Sequence, residues 1–213
     1  MIEILDRKSR QVLLTLDFES LNGVLIDGVN FQNADLRKLD FSDTRFKACN
    51  FADADCREAV FSNAKFQSCS FKRTAFVGAK IDSAEMSDSQ MDVADMRDVR
   101  GAGVQLRHCK INNADLTGAY LKGADCSFSE MRCNLHKANL SQANLYGVDF
   151  TGADLSYANL TKSDMSGAVI LNANFTFAKM TDSIGTNGKP WGNSASKHEP
   201  KKPWWQIWKR AAL

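Results

Sequence analysis

Apolar residues return along this chain at every fifth position, and they keep doing so for most of its length. The series runs Leu21, Ile26, Phe31, Leu36, Phe41, Phe46, Phe51, Cys56, Phe61, Phe66, Phe71, Phe76, Ile81, Met86, Met91, Met96, Gly101, Leu106, Ile111, Leu116, Leu121, Cys126 and Met131. One residue is then missing, and the series resumes at Leu135, Leu140, Leu145, Phe150, Leu155, Leu160, Met165, Ile170, Phe175 and Met180. Of these 33 centres, 32 are apolar, and only Gly101 is empty. Two residues before each centre, 26 of 33 positions hold Ala, Ser, Thr or Cys, and the remaining three positions of the unit are mostly polar. The chain therefore offers the interior one large and one small residue in every five.

A period of five suits neither a helix of 3.6 residues per turn nor a strand with its two-residue alternation. It suits a chain that turns a corner after every unit. Four corners bring the chain back above its start, and each coil pairs its backbone with the coil below at roughly the 4.8 Å spacing of sheets. About eight such coils predict an all-β solenoid, a rod roughly 40 Å long with its axis filled by the centres. The small residues let the wall approach that axis.

The units Ala34-Asp35-Leu36, Ala114-Asp115-Leu116, Ala138-Asn139-Leu140, Ala143-Asn144-Leu145, Ala153-Asp154-Leu155 and Ala158-Asn159-Leu160 resemble the pentapeptide-repeat family over about residues 19–181. The resemblance implies a right-handed quadrilateral β-helix. It leaves function open, because one fold hosts many functions. A shorter stretch, Gly103-Val104-Gln105-Leu106-Arg107-His108-Cys109-Lys110 followed by Ala114 to Ala119, resembles the quinolone-resistance members. For them the resemblance implies action on type II topoisomerase by imitating DNA. This chain departs from that group in its N-terminal hairpin, its lack of projecting loops and its lack of a continuous acidic wall.

The ends read differently from the body. Residues 2–5 and 12–16 are apolar runs about a polar turn, Asp6 to Gln11, and predict a β-hairpin cap over 1–18 that covers the open first coil. Residues 19–181 form the solenoid, with Glu19 at its entry. Residues 182–202, rich in Gly, Asn, Ser, Lys and Pro, read as a flexible linker. Residues 203–213 carry Trp204, Trp205, Ile207 and Trp208 with Lys209 and Arg210, and predict a short helix opening on Pro203. So short a helix is marginal alone. It is expected to bury its tryptophans near Tyr157 and Phe177, which lie 20 residues apart on one corner with Val169 and Leu171 nearby. A dimer mate at the C-terminal end or a membrane surface could meet the same need.

Charge and chemistry narrow the function classes. The chain of 213 residues has net charge +2. Residues 1–180 hold 21 Lys and Arg against 23 Asp and Glu, a net of −2, and residues 181–213 hold 6 against 2, a net of +4. A body at −2 is a poor imitation of a phosphate track, and no direct nucleic-acid contact is expected. The acidic run Asp82, Glu85, Asp88, Asp92, Asp95 and Asp98 and the basic group Arg45, Lys47, Lys65, Lys72 and Arg73 both read as solvated surface. All six cysteines, Cys49, Cys56, Cys69, Cys109, Cys126 and Cys133, take inward positions and read as small buried hydrophobes. His108, His136 and His198 form no ligand cluster. No nucleophile motif, phosphate loop or dinucleotide fingerprint is present.

The expectation is a cytoplasmic, cofactor-free, non-enzymatic interaction or scaffold protein, with no spanning segment. Its core centres include Leu36, Phe41, Phe46, Phe51, Phe61, Phe66, Phe71, Phe76, Leu106, Leu116, Leu140, Leu145, Phe150, Leu155, Leu160 and Phe175. Its candidate contact surface is Tyr157, Phe177, Trp204, Trp205, Ile207 and Trp208. Gly101 is expected to be refilled by Val99 and Val104, or else to form a notch.

Overall fold

The structure, a computed structural model, describes residues 2–16 and 21–191. From Leu21 to Ile184 the chain is a right-handed quadrilateral β-helix. Its walls are named here first to fourth after the centres Leu21, Ile26, Phe31 and Leu36, and each recurs one coil later. Parallel pairing at 20-residue spacing links every coil to the next, as in Asp35 with Asp55 and Asp55 with Ala75.

Two sets of backbone bonds hold each wall. The centre donates forward, as Leu36 N–H does to the Asp55 carbonyl at 2.8 Å, and the residue before a centre donates back, as Asp55 N–H does to the Ala34 carbonyl at 2.9 Å. Most corners are closed within one coil, as by Ala34 N–H on the Phe31 carbonyl at 3.0 Å. Such a turn needs a positive φ at its third residue. The chain supplies it at Asn33, Asp53, Asn63, Asn113 and many others near +60°. Bulky residues at such positions, among them Val93, Phe128, Tyr157 and Phe177, are tolerated because the ladder fixes the backbone on both sides.

Regular strands are few and short. The hairpin consists of β1 (Ile2–Asp6) and β2 (Val12–Leu16), paired antiparallel, and β1 pairs in turn with β4 (Ala34–Asp35) of the first coil. On the second wall β3 (Leu25–Asp27), β5 (Arg45–Lys47) and β6 (Lys65–Gln67) stack in parallel register. Ile4 and Leu16 are buried against the first coil, so the hairpin closes that end of the core.

Every one of the sixteen core centres named from the sequence is buried. In the first three coils the centres are mostly phenylalanine. Rings stack coil on coil, Phe31 on Phe51 at 4.8 Å, Phe51 on Phe71 at 5.0 Å and Phe46 on Phe66 at 4.9 Å. Neighbouring walls meet edge to face, as Phe46 and Phe51 do at 5.2 Å and 79°. Both arrangements are favoured by the ring quadrupole.

Gly101 is filled: Val99 and Val104 beside it are fully buried, and neighbours on its own wall reach the empty position. A Cβ placed there would lie 2.9 Å from Ile81 Cγ1 and 3.2 Å from Leu121 Cδ2. The centres above and below on the first wall lean into the space, so no notch exists. The missing residue between Met131 and Leu135 is absorbed by a tight turn in which Cys133 N–H reaches the Met131 carbonyl at 2.9 Å. Pairing runs at 19 residues for four bridges, Asp115 with Asn134 through Glu130 with Asp149, and then returns to 20.

The C-terminal boundary differs from the sequence reading. Residues 182–191 do not begin a linker. Ile184 stays in the second-wall ladder, paired with Asp164, and the chain folds back to set Pro190 antiparallel to Ile184. Gly185 takes the next centre position without a side chain, and the Trp191 ring lies over it, its Cε3 2.7 Å from where a Cβ would sit. Glycine and asparagine in this stretch make tight turns, which composition alone cannot separate from a linker. Residues 192–202 and the expected helix over 203–213 lie outside the described residues, as does Glu19.

The stacked column makes the middle ring the most sensitive centre. Phe51→Asp places an unpaired charge on the axis and should lower the melting temperature severely or prevent folding, at a cost of several kcal/mol. Phe51→Leu should cost about 1–2 kcal/mol. Circular dichroism melts of the two variants check the assignment, and equal melting temperatures would overturn it.

Candidate interaction surfaces

The interior thiols are buried, and a shared contact with Cys69 pulls that of Cys49 down to about 7. All six cysteines are free and buried. Burial pushes the Cys109 thiol up to about 12 and drives those of Cys56, Cys126 and Cys133 upward as well. Cys49 and Cys69 sit in register on adjacent coils, where a shared thiol contact and then burial hold Cys69 protonated. The thiols of Cys56, Cys69, Cys109, Cys126 and Cys133 are kept neutral, and a neutral thiol is neither nucleophile nor metal ligand. Among the described residues no group of three or more His, Cys, Asp or Glu is placed to hold a metal ion, and no helix is long and apolar enough to cross a membrane.

The outer face is organised by the 20-residue repeat. The residue before each centre of the fourth wall is Asp35, Asp55, Ala75, Asp95, Asp115, Asn134, Asp154 and Asn174 in turn, so carboxylates stack one coil apart. Reading the sequence in steps of five misses this column, although the signal is simple: aspartate at intervals of 20. Three of its members are claimed by arginine two residues on. Arg37 forks onto Asp35 at 2.8 Å, Arg57 onto Asp55 at 2.8 and 2.6 Å, and Arg97 onto Asp95 at 2.7 Å. Arg10 of the hairpin adds a second partner to Asp35 at 2.7 Å. The guanidinium of Arg37 holds the Asp35 carboxyl well below the usual range, and that of Arg97 lowers Asp95. Asp115 and Asp154 instead accept hydrogen bonds from Thr117 and Ser156.

The basic group expected around Arg45, Lys47, Lys65, Lys72 and Arg73 is likewise interrupted. Lys65 pairs with Glu85 and Arg73 with Asp53, both at 2.7 Å, and Lys47 reaches Asp27 at 3.5 Å. Each pair bridges two coils at i and i+20, so opposite charges stack along the rod. The acidic run from Asp82 to Asp98 loses Glu85 to a cross-coil pair and Asp95 to Arg97 two residues on, while Asp82 and Asp92 accept backbone N–H groups of Ala102 and Asn112.

Aromatic columns stand on two corners. Between the fourth and first walls Tyr157 and Phe177 meet at 5.0 Å, and His136 packs edge-on to Tyr157 at 5.5 Å. The sequence brings this pair together correctly, but Leu171 lies one corner earlier and Val169 on the third wall. Trp204, Trp205, Ile207 and Trp208 lie outside the described residues. Between the second and third walls stands a column not read from the sequence. His108 stacks flat on Phe128 at 5.3 Å and 5°, and Phe128 packs edge-on to Tyr146 at 5.2 Å. Phe128 is 52% exposed at φ +59°. Its ring occupies the room that Gly147 leaves, since a Cβ there would lie 2.9 Å from Phe128 Cδ1. The 20-residue spacing of His108 and Phe128 could have shown the stack.

The grooves of the surface are open and polar. One, of about 540 Å³, runs between the hairpin and the fourth wall and is lined by Glu3, Arg10, Asp35, Arg37, Arg57 and Glu58 among others. Charges of both signs already pair across it. It shows no convergent set of unpaired groups of the kind a small-molecule site needs.

Comparison with known proteins agrees with this geometry. A model of pentapeptide repeats, in 8 copies, matches residues 20–53, 40–74, 54–98, 102–132, 133–170 and 149–184. Two structures of trypsin-treated variants of QnrB1, a plasmid-mediated fluoroquinolone resistance protein, are similar in fold. One has TM-score 0.61 and 24% identity over 75% of this chain and 81% of that one. The other has TM-score 0.52 and 24% identity over 80% and 86%. HetL, a pentapeptide repeat protein of heterocyst differentiation regulation from Nostoc sp. strain PCC 7120, matches at TM-score 0.43 and 20% identity over 81% and 94%. No curated protein sequence matches the chain.

The arginine-held carboxylates predict an acid limit to stability. Asp35, Asp53 and Asp95 titrate lower folded than unfolded. Their contribution is therefore complete above the ordinary carboxylate range near pH 4 and fades as pH falls toward the lowered values. Melting temperature should drop on going from pH 6 to below about pH 4. Arg37→Ala combined with Arg97→Ala should lessen that drop, because the unpaired carboxyls then titrate nearer their unfolded values. An unaltered acid slope in the double variant would show that these pairs contribute nothing.

With the five-residue unit, the four-walled coil and the family match over most of its length all in agreement, this chain belongs to the pentapeptide-repeat family.

Proposed function

We propose that the chain is a non-enzymatic interaction scaffold that meets a protein partner through its aromatic corners. The observation that carries this reading is Phe128: a large ring, half exposed, held in a left-handed backbone conformation and stacked beneath His108. Left-handed φ is costly for a bulky residue, and Phe128 adds nothing to the axis in return. The same φ recurs at most corners, so it is the bulky exposed ring placed there, not the backbone, that marks Phe128. Tyr146, Tyr157 and Phe177 are also 46–69% exposed, and exposed aromatic clusters on a soluble surface mark contact sites. A filled axis and grooves already paired within themselves leave the outer faces as the usable surface.

A second reading, binding of type II topoisomerase by imitating DNA, has its own support. The fold is like that of QnrB1, and the fourth wall carries carboxylates in a column. Against it, Arg37, Arg57 and Arg97 neutralise that column at three of its positions, and Ala75 and Asn134 interrupt it. A phosphate track presents unpaired negative charge along its whole length.

Capture of partners from the native host, using the wild type beside Phe128→Ser with Tyr146→Ser and beside Tyr157→Ser with Phe177→Ser, tests the first reading. One pair should lose the partner while the melting temperature stays within a few degrees, since none of the four side chains is buried. Retention of every partner by both variants would refute the aromatic corners as the contact. A DNA supercoiling assay with gyrase should show no inhibition, and inhibition at stoichiometric protein would install the topoisomerase reading instead.

A further inference from the structure

On the third wall the small positions of successive coils include Cys49, Cys69, Ser89, Cys109 and Ser129. Cys109 stands between two serines, and only Cys49 and Cys69 are cysteines in register on adjoining coils. That register is fixed on both sides of the pair. Before it, Phe46 and Lys47 of β5 pair with Phe66 and Gln67 of β6, and after it Asn50 pairs with Ser70. Ser70 N–H also donates to the Cys49 carbonyl at 3.1 Å. Strands paired in this way stand roughly 4.8 Å apart, inside the roughly 4.4–6.8 Å between Cα atoms that a disulfide spans. The two side chains point alike. The Cys49 thiol donates to the Lys47 carbonyl at 3.3 Å and the Cys69 thiol to the Gln67 carbonyl at 3.5 Å. One sulfur therefore lies over the other, and the two thiols touch. Both sit beside the exposed corner residues Ala48 and Ser68, so a small solute has a short way in.

We propose that Cys49 and Cys69 are an oxidative modification site, at which hydrogen peroxide converts the two thiols to a disulfide that staples the second coil to the third. Contact with Cys69 draws the Cys49 thiol down to about 7, so Cys49 supplies thiolate at neutral pH and is the attacking sulfur. It attacks one peroxide oxygen and the O–O bond breaks. That oxygen stays on Cys49 as a sulfenic acid, and the other leaves as hydroxide, which takes up the proton Cys49 gave and becomes water. The Cys69 sulfur then attacks the sulfenic sulfur, the S–O bond breaks, and the oxygen departs with the Cys69 proton as a second water. Two electrons pass from the thiols to the peroxide. The contact with Cys49 is the first cause that holds Cys69 protonated, and oxidation of Cys49 removes it. The new bond closes a loop of about twenty residues in the unfolded chain, which is how a disulfide stabilises.

Treatment of the full, folded chain with hydrogen peroxide, then unfolding, alkylation and peptide mapping, tests the proposal. The wild type should lose two of its six alkylatable thiols. Tryptic peptides 48–57 and 66–72 should appear joined, with Cys56 of the first peptide alkylated. The melting temperature of the oxidised protein should rise by several degrees, and dithiothreitol should reverse the rise. Cys109→Ser should respond as the wild type does. Cys49→Ser and Cys69→Ser should fold, since Ser129 already occupies the same position with its hydroxyl bonded to the Leu106 carbonyl. Neither should gain a joined peptide or a higher melting temperature on oxidation. Survival of all six thiols, a link that runs through Cys56, oxygen adducts on Cys49 without a link, or an oxidised wild type that melts no higher than the reduced one would each overturn the proposal.

Discussion

The structure depends on a register: each coil lies 20 residues above the last, or 19 across the corner at Cys133, so that within the stack a centre donates its N–H to the coil ahead and the residue before it donates to the coil behind. Neither a single coil nor a single corner is stable alone. A corner costs a left-handed residue, of order 1–2 kcal/mol when it is not glycine, and it is tolerated only because ladder bonds on both sides and a filled axis fix the conformation. Stability in such a rod is a sum of nearest-neighbour terms, which is why Phe51 matters through Phe31 and Phe71 rather than through distant parts of the chain.

The same register organises the surface. A residue type repeated at intervals of 20 becomes a column, whatever its neighbours in sequence. Aspartate so repeated gives the fourth-wall column, acidic and basic residues alternating give the cross-coil pairs Lys65 with Glu85 and Arg73 with Asp53, and aromatic residues give the ladders at two corners. At Asp35, Asp55, Asp95, Lys65 and Arg73 an opposite charge stands within one coil or two residues. The fourth wall therefore presents ion pairs over its first coils and carboxylates bonded to hydroxyl or backbone donors at Asp115 and Asp154, rather than an unbroken field.

Much of this is legible in the sequence because the period of five is dictated by the axis. The centres, the small positions and the fate of all six cysteines follow from it, and the family resemblance adds the hand of the helix. The Asp and His108–Phe128 columns are equally present but need the chain to be read in steps of 20. Gly101 is filled as the sequence suggests, with Ile81 and Leu121 also reaching it along the wall, and side-chain lean does not show in a one-dimensional pattern. The segment 182–191 misleads because glycine, asparagine and proline serve tight closure and free linkers alike, and only the ring of Trp191 over Gly185 separates them.

The residue missing between Met131 and Leu135 has a consequence for how such a chain can change over time. The tight turn at Cys133 takes up the loss in a single corner, and the ladder regains its 20-residue spacing from Asn134 with Asp154 onward. Loss of one residue at a corner thus leaves every later wall in phase with the earlier ones, while a loss at a centre would rotate all that follows by one position and turn the interior outward. Length variation in this lineage is accordingly expected at corners, one residue at a time, or in whole coils of twenty.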